Sequence, residues 1–259
     1  MEALIWSRLQ FAFTVSFHIL FPALNIGLAL LLAWLEWRWL RSDDHNYRIA
    51  YRFWSRIFAL TFGMGVVSGL VLSYEFGTNF AAFAAATGNV LGPLLSYEVL
   101  TAFFLEASFL GIMLFGWERV TPRLHFFATL MVAIGTLISA FWILSANSWM
   151  HTPAGAELRD GVFYPLDWWA IVFNPSFPYR YLHMVLASVL STLFFVAGIA
   201  AWYQLKHRES QFAQRHLRPV LLAAAILAPL QVFIGDLHGL VVEEHQPMKV
   251  AAMEGRWET

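Results

Sequence analysis

Four ionisable side chains, His18, Glu98, Glu106 and His183, lie inside long apolar stretches of the sequence. Such groups are costly in hydrocarbon and mark ligand sites, proton paths or paired packing contacts. His18 falls about 12 Å into the first stretch at 1.5 Å per residue. Neutral imidazole is the commonest metal ligand and the usual proximal ligand of heme. The bland alternative is a histidine bonded to a neighbouring helix. Pro22, four residues on, cannot donate to the His18 carbonyl and predicts a kink there. Glu98 and Glu106 share another stretch, with Thr101 and Ser108 nearby. Eight residues at 100° each leave their carboxylates about 80° apart around an α-helix and about 12 Å apart along it. Both must therefore face protein or water. A carboxyl in such a place can hold a proton and hand it on, or it is a hydrogen-bonded packing group. His183 opens a later stretch, after Asn174, Pro175 and Pro178, as a ligand or as an interfacial histidine in contact with water. Two histidines on separate spans, many aromatics and no cysteine favour heme over zinc or copper.

The elements that must position these groups are membrane spans. Of 259 residues, 59% are hydrophobic and 13% charged, against about 25% charged in an average soluble domain. Apolar blocks at roughly 11–39, 54–76, 92–116, 124–147, 181–205 and 219–241 are each long enough for about 30 Å of hydrocarbon. They predict an all-α integral membrane protein, a bundle of about six transmembrane helices over residues 1–241, followed by an outer segment, 242–259. The first block is far longer than the roughly 7–15-residue core of a secretory signal; Trp34, Trp37 and Trp39 anchor its far end at the interface. Internal repeats, low-complexity tracts and heptads are absent. A net charge of −1 and the lack of any nucleic-acid motif exclude a nucleic-acid partner. The absence of cysteine removes disulfides, iron–sulfur clusters, thiolate metal sites and c-type heme attachment.

The connections alternate in charge. Arg38, Arg41, Arg48, Arg52, Arg56, Arg119, Arg123, Lys206, Arg208, Arg215 and Arg218 fall on one side, and Arg8, Arg159, Arg180, Lys249 and Arg256 on the other. Eleven against five predicts both termini outside. The segment 148–180, rich in Pro and Trp, is then an outer loop. Glu98 lies about 10 Å deep, near the level of His18, and Glu106 about 22 Å deep toward the inner side. A proton path from inside, ending beside whatever His18 binds, is the functional expectation. Gly63, Gly65 and Gly69 resemble a nucleotide fingerprint only superficially; small residues four apart predict a helix-packing face. The polar run Gly235, Asp236, His238, Glu243, Glu244, His245, Lys249, Glu254 and Glu258 shares the outer side with His183.

At these residues the sequence resembles subunit I of the cytochrome bd-type quinol oxidases. The resemblance rests on Ser7-Arg8-Leu9-Gln10-Phe11-Ala12-Phe13 and Phe17-His18-Ile19-Leu20-Phe21-Pro22, and on Tyr97-Glu98 through Leu105-Glu106. It continues through Ser139-Ala140-Phe141-Trp142-Ile143-Leu144, Asn147-Ser148-Trp149-Met150, His245-Gln246-Pro247-Met248-Lys249 and Glu254-Gly255-Arg256-Trp257-Glu258. The details look closest to the cyanide-insensitive branch, with a short quinol loop. The resemblance implies that His18 is an axial ligand of a high-spin heme of the oxygen-reducing pair. It implies that His183 is an axial ligand of the low-spin heme b, and that Glu98 and Glu106, with Ser139 near them, form a proton path. Lys249 and Glu254 then belong to the quinol-binding loop. The implied cofactors are a low-spin heme b, a high-spin heme b, and heme d or a second high-spin heme b. Quinol would be oxidised at the outer face of the bacterial cytoplasmic (inner) membrane and O2 reduced to water, giving a proton gradient without pumping. The implied partners, besides membrane lipid, are a related subunit II and a small single-span subunit.

Subunit I of this family continues through further spans, so a chain ending at Thr259 is expected to be an N-terminal fragment or to be completed by a second polypeptide, which would supply a methionine and a glutamate heme ligand. Two other classes fit parts of the sequence. A membrane diheme cytochrome b exchanging electrons with quinone would need paired histidines, and His18 and His183 have no obvious intramembrane partners. A non-enzymatic proton conduit would need only Glu98 and Glu106.

Overall fold

A backbone crossing hydrocarbon must satisfy its own hydrogen bonds, so each apolar block becomes a helix. The structure, a computed structural model, describes residues 2–206 and 210–255. Helices α1 (Glu2–Ser42), α2 (His45–Gly77), α3 (Ala81–Glu98), α4 (Phe104–Phe115), α5 (Pro122–His151), α6 (Trp168–Val172), α7 (Phe177–Leu205), α8 (Ser210–His245) and α9 (Pro247–Glu254) follow in order. A π-helical turn over Val99–Phe103 joins α3 to α4. Among the described residues, six helical segments are long and apolar enough to cross a membrane, as the composition predicts, and the chain is a multi-pass all-α bundle. Arg208, Arg256, Trp257 and Glu258 lie outside the described residues, as does the Arg215 side chain.

The helices outrun the apolar blocks because caps and helix-forming residues, not hydropathy, end a helix. Thus α1 starts at Glu2, α3 at Ala81, and α8 runs to His245. Asp44 caps α2 by accepting from the Asn46 amide at 3.0 Å, and Thr121 caps α5 with Pro122 in the first turn. Helix α1 continues through Pro22 as one helix.

The deepest packing lies in the arginine-rich half of the bundle. There Leu28, Leu32 and Leu35 of α1 meet Tyr51, Trp54 and Phe58 of α2, Met113 of α4, Val132 of α5 and Val196 of α7. A smaller cluster at the other end joins Val90, Leu91 and Leu94 of α3 to Ala146 and Trp149 of α5 and Ile171 of α6. Many large apolar side chains, such as Leu60, Val67, Leu70 and Ile226, point outward, as helices surrounded by lipid or other apolar helices require.

The segment 148–180 is more ordered than a loop. Strands β1 (Ala156–Arg159) and β2 (Val162–Pro165) pair antiparallel around Asp160 and Gly161, with φ of 49° and 79°. Positive φ at both central residues is what a two-residue hairpin turn of this hand needs. The hairpin is pinned to the bundle by Asn89 Nδ2 donating to the Phe163 carbonyl at 3.1 Å and by Trp149 against Phe163.

Candidate functional site

The expected residues fall into three groups. In the first, the His18 ring of α1 packs against α2 at Gly69, where an added Cβ would lie 2.9 Å from His18 Cε1. His18 Nδ1 is 3.3 Å from Ser68 Oγ. The Ser68 hydroxyl already donates to the Met64 and Gly65 carbonyls at 2.9 and 3.0 Å, so its oxygen accepts from Nδ1–H. That tautomer leaves the Nε2 lone pair available, the arrangement an axial ligand requires. One turn before His18, Thr14 Oγ1 donates to Glu75 Oε1 at 2.8 Å. Glu75 is buried, and its Oε2 has no hydrogen-bond partner among the described residues. The glycines of α2 divide: Gly65 and Gly69 take side chains of α1, while Gly63 faces open space.

The second group joins α3–α4 to α5. Ser139 Oγ donates to Glu98 Oε1 at 2.8 Å, and the Glu106 side chain lies on Gly135, where a Cβ would come within 2.5 Å of its Cγ. Ser139 and Gly135 are one turn apart on α5, so both carboxylates face the same stripe of the same neighbour. A plain α-helix would not aim them so. In the π-turn the Phe104 amide bonds the Val99 carbonyl, five residues back. Absorbing one residue brings the two glutamates to about 20° apart around the axis instead of about 80°. Trp142 Nε1 donates to Thr101 Oγ1 at 2.9 Å beside them. The partners of His18 are on α2 and those of the carboxylates on α5; the structure does not draw the two groups into one contact.

The third group gathers at the other end of the bundle from the arginine-rich connections. The His183 ring of α7 packs on α8 between Gln231 and Gly235, with Gln231 Nε2 3.2 and 3.1 Å from its two nitrogens. Gln231 Oε1 is buried with no hydrogen-bond partner among the described residues. Gln231 Nε2 also donates to the His183 carbonyl at 3.1 Å, so it braces both ring and backbone of His183 against α8, a second contact of the kind that orients a heme ligand. The His238 ring lies 5.9 Å from that of His183, a neighbour the sequence did not reveal. Lys249 Nζ donates to Gln246 Oε1 at 3.2 Å and lies 3.3 Å from His151 Nδ1. Arg180 Nη1 donates to Asn147 Oδ1 at 3.0 Å. Burial, and then the Arg180 charge, lower the Lys249 pKa from the ordinary lysine value. Glu254 closes α9 in an exposed position.

Sequence reasoning missed a fourth polar cluster. His125 of α5 and Glu36 of α1 form a buried pair, extended by Thr129 and Tyr51 and roofed by Trp117. Two ionisable residues on apolar helices were the available signal, Glu36 beside the first tryptophan belt and His125 in the first turn of α5. No group of three or more His, Cys, Asp or Glu side chains among the described residues gathers to hold a bare metal ion.

An all-helical bundle with imidazoles and carboxylates set between its spans defines the class as a polytopic membrane protein. The chain belongs to the cytochrome bd terminal oxidase subunit I family, whose model matches residues 6–259. It is 39% identical over 257 residues to the cytochrome bd-II ubiquinol oxidase subunit 1 of Escherichia coli (strain K12), covering 98% of this chain and 50% of that protein. It is 35% identical over 259 residues to the cytochrome bd ubiquinol oxidase subunit 1 of Bacillus subtilis (strain 168), covering 100% of this chain and 55% of that one. Among solved structures it is similar to a chain of the bd oxidase from Geobacillus thermodenitrificans, with a TM-score of 0.92 and 32% identity, over 98% of this chain and 59% of that one. The chain thus spans about half the length of the curated relatives it matches.

Proposed function

We propose that this chain supplies the ligand, proton-path and quinol-loop residues of an N-terminal half of subunit I in a bd-type quinol oxidase of the bacterial cytoplasmic membrane. His18 would hold an oxygen-side high-spin heme, and His183 would hold the low-spin heme b. Bound heme would supply one-electron transfer and oxygen reduction; the helices fix its position and its proton supply. Ser68 sets the His18 tautomer and Gln231 orients His183. Glu106 takes protons from the inner side and Glu98, held by Ser139, passes them toward the oxygen site. Lys249 and Glu254 contact quinol at the outer face, so its protons leave outward and a gradient forms without pumping. Subunit II and a small single-span subunit complete the assembly.

The observation that carries this reading is the alignment of Glu98 and Glu106 on one stripe of α5. In the assembled oxidase, Glu98→Gln and Glu106→Gln are each expected to slow oxygen consumption at least about tenfold, the scale of a lost proton-transfer group. Unchanged turnover in both variants would remove the proton path from the reading.

A second reading, a b-type cytochrome that only exchanges electrons with quinone, draws on the His183 and His238 rings 5.9 Å apart. A reduced-minus-oxidised spectrum separates the two. A broad red-shifted heme d band, or oxygen uptake with quinol, supports the oxidase. Only b-type bands without oxygen uptake support the electron carrier, and no heme signal would leave a proton conduit.

A further inference from the structure

Two side chains, His151 of α5 and Gln246 at the break between α8 and α9, close around the Lys249 ammonium at the hairpin end of the bundle. Lys249 of α9 lies 3.3 Å from His151 Nδ1 and 3.2 Å from Gln246 Oε1. Gln246, where α8 gives way to α9, also donates from Nε2 to the His151 carbonyl at 3.0 Å. The last residue of α5 is thereby braced twice to the break between α8 and α9. An ammonium only donates hydrogen bonds, so His151 Nδ1 is the acceptor. The imidazole must then be neutral, with its proton on Nε2. A protonated His151 would have no lone pair for Lys249 and would add a positive charge facing Arg180 of α7, His238 of α8 and Lys249 of α9.

We propose that His151 is a positioning residue for quinol oxidation: neutral His151, with Gln246, holds Lys249 in its quinol-facing place and lets it go when the imidazole takes up a proton. The proposal deepens, and rests on, the reading of Lys249 as a quinol contact. His151 acts through Lys249 on quinol binding and exchanges no electrons. The affinity for quinol therefore weakens on the acid side for a reason separate from the redox chemistry.

The test uses the assembled oxidase in membranes, with a soluble short-chain quinol as the probe. His151→Leu removes the acceptor and is expected to raise the quinol KM about tenfold, the scale of a hydrogen bond to a charged group. Its kcat should change less than about twofold, because the reacting groups stay in place. The reduced-minus-oxidised heme spectrum should be unchanged, which checks the fold. His151→Gln offers an acceptor oxygen that does not titrate. It should keep the parent KM at neutral pH and abolish the acid-side rise in KM. An unchanged KM in His151→Leu, or an acid-side rise that persists in His151→Gln, would overturn the proposal. If His151→Leu loses its heme spectrum, the pH comparison with His151→Gln decides alone. Lys249→Met separates the two levels. A raised KM there with a normal His151→Leu removes only the role of His151. An unchanged KM in Lys249→Met removes the quinol contact itself.

Discussion

His125 Nδ1 lies 2.6 Å from Glu36 Oε1, and neither side chain meets solvent. Thr129 donates to the other Glu36 oxygen at 2.6 Å and lies 2.8 Å from the Tyr51 hydroxyl, so the carboxylate is satisfied on both sides. The pair ties α1 to α5 across the deepest part of the core. Breaking a buried pair by removing one partner leaves the other stranded and costs about 3–5 kcal/mol, whereas replacing both by apolar groups is often neutral. Glu36→Ala or His125→Ala should therefore lower the thermal midpoint of the purified complex sharply. Replacing both together with leucine should recover much of the loss; a double variant as unstable as the singles would contradict this account.

Gly135 exists to receive Glu106. Its Cβ in Gly135→Ala would stand 2.5 Å from Glu106 Cγ, forcing the carboxylate off the stripe it shares with Glu98. Oxygen consumption should drop by roughly tenfold or more, as for loss of the acid itself, while the heme spectrum stays. Gly198→Ala, which faces open space, is the control and should behave as the parent.

Gly69 plays the same part for His18. In Gly69→Ala the new methyl would lie 2.9 Å from His18 Cε1, tilting the ring away from Ser68. A displaced ligand by about 1 Å is enough to spoil a site of this kind. We expect a diminished high-spin heme signal in difference spectra. Gly63→Ala on the same helix meets nothing within 4 Å and should leave the signal intact.

The lowered Lys249 pKa has a sign that can be measured. Burial and Arg180 favour its neutral form, so the ammonium is lost at a lower pH than in a free lysine. Quinol KM should thus rise on the alkaline side earlier than an ordinary lysine near pKa ~10.4 would give. Lys249→Arg, whose charge persists to higher pH, should move that limb upward; an alkaline limb that stays put would assign it to another group.

Much of this architecture was legible because a membrane simplifies the problem. Long apolar runs must become helices, and His18, Glu98, Glu106 and His183 stand out there as expensive exceptions. What the chain does not display is partnership at a distance. Glu36 and His125 are separated by 89 residues, and nothing local couples them. The Gln231 and His238 neighbours of His183 likewise depend on how α8 lies against α7. The Asp160–Gly161 turn is a different case, since an Asp-Gly pair between short strand-forming runs is a local hairpin signal and was readable without any tertiary information. The helices extend past the apolar blocks because hydropathy marks where hydrocarbon ends, not where helical backbone stops.

The π-turn at Val99–Phe103 means that this span stores helical phase as well as residue identity. Rewinding the turn as regular α-helix, with no residue lost, would keep both glutamates and every neighbour on α5. It would nevertheless rotate Glu98 against Glu106 by about 100°. A lineage could therefore lose the alignment without a single substitution at an acidic position. Comparing chains by their glutamates alone would miss it; the winding between them is part of the site.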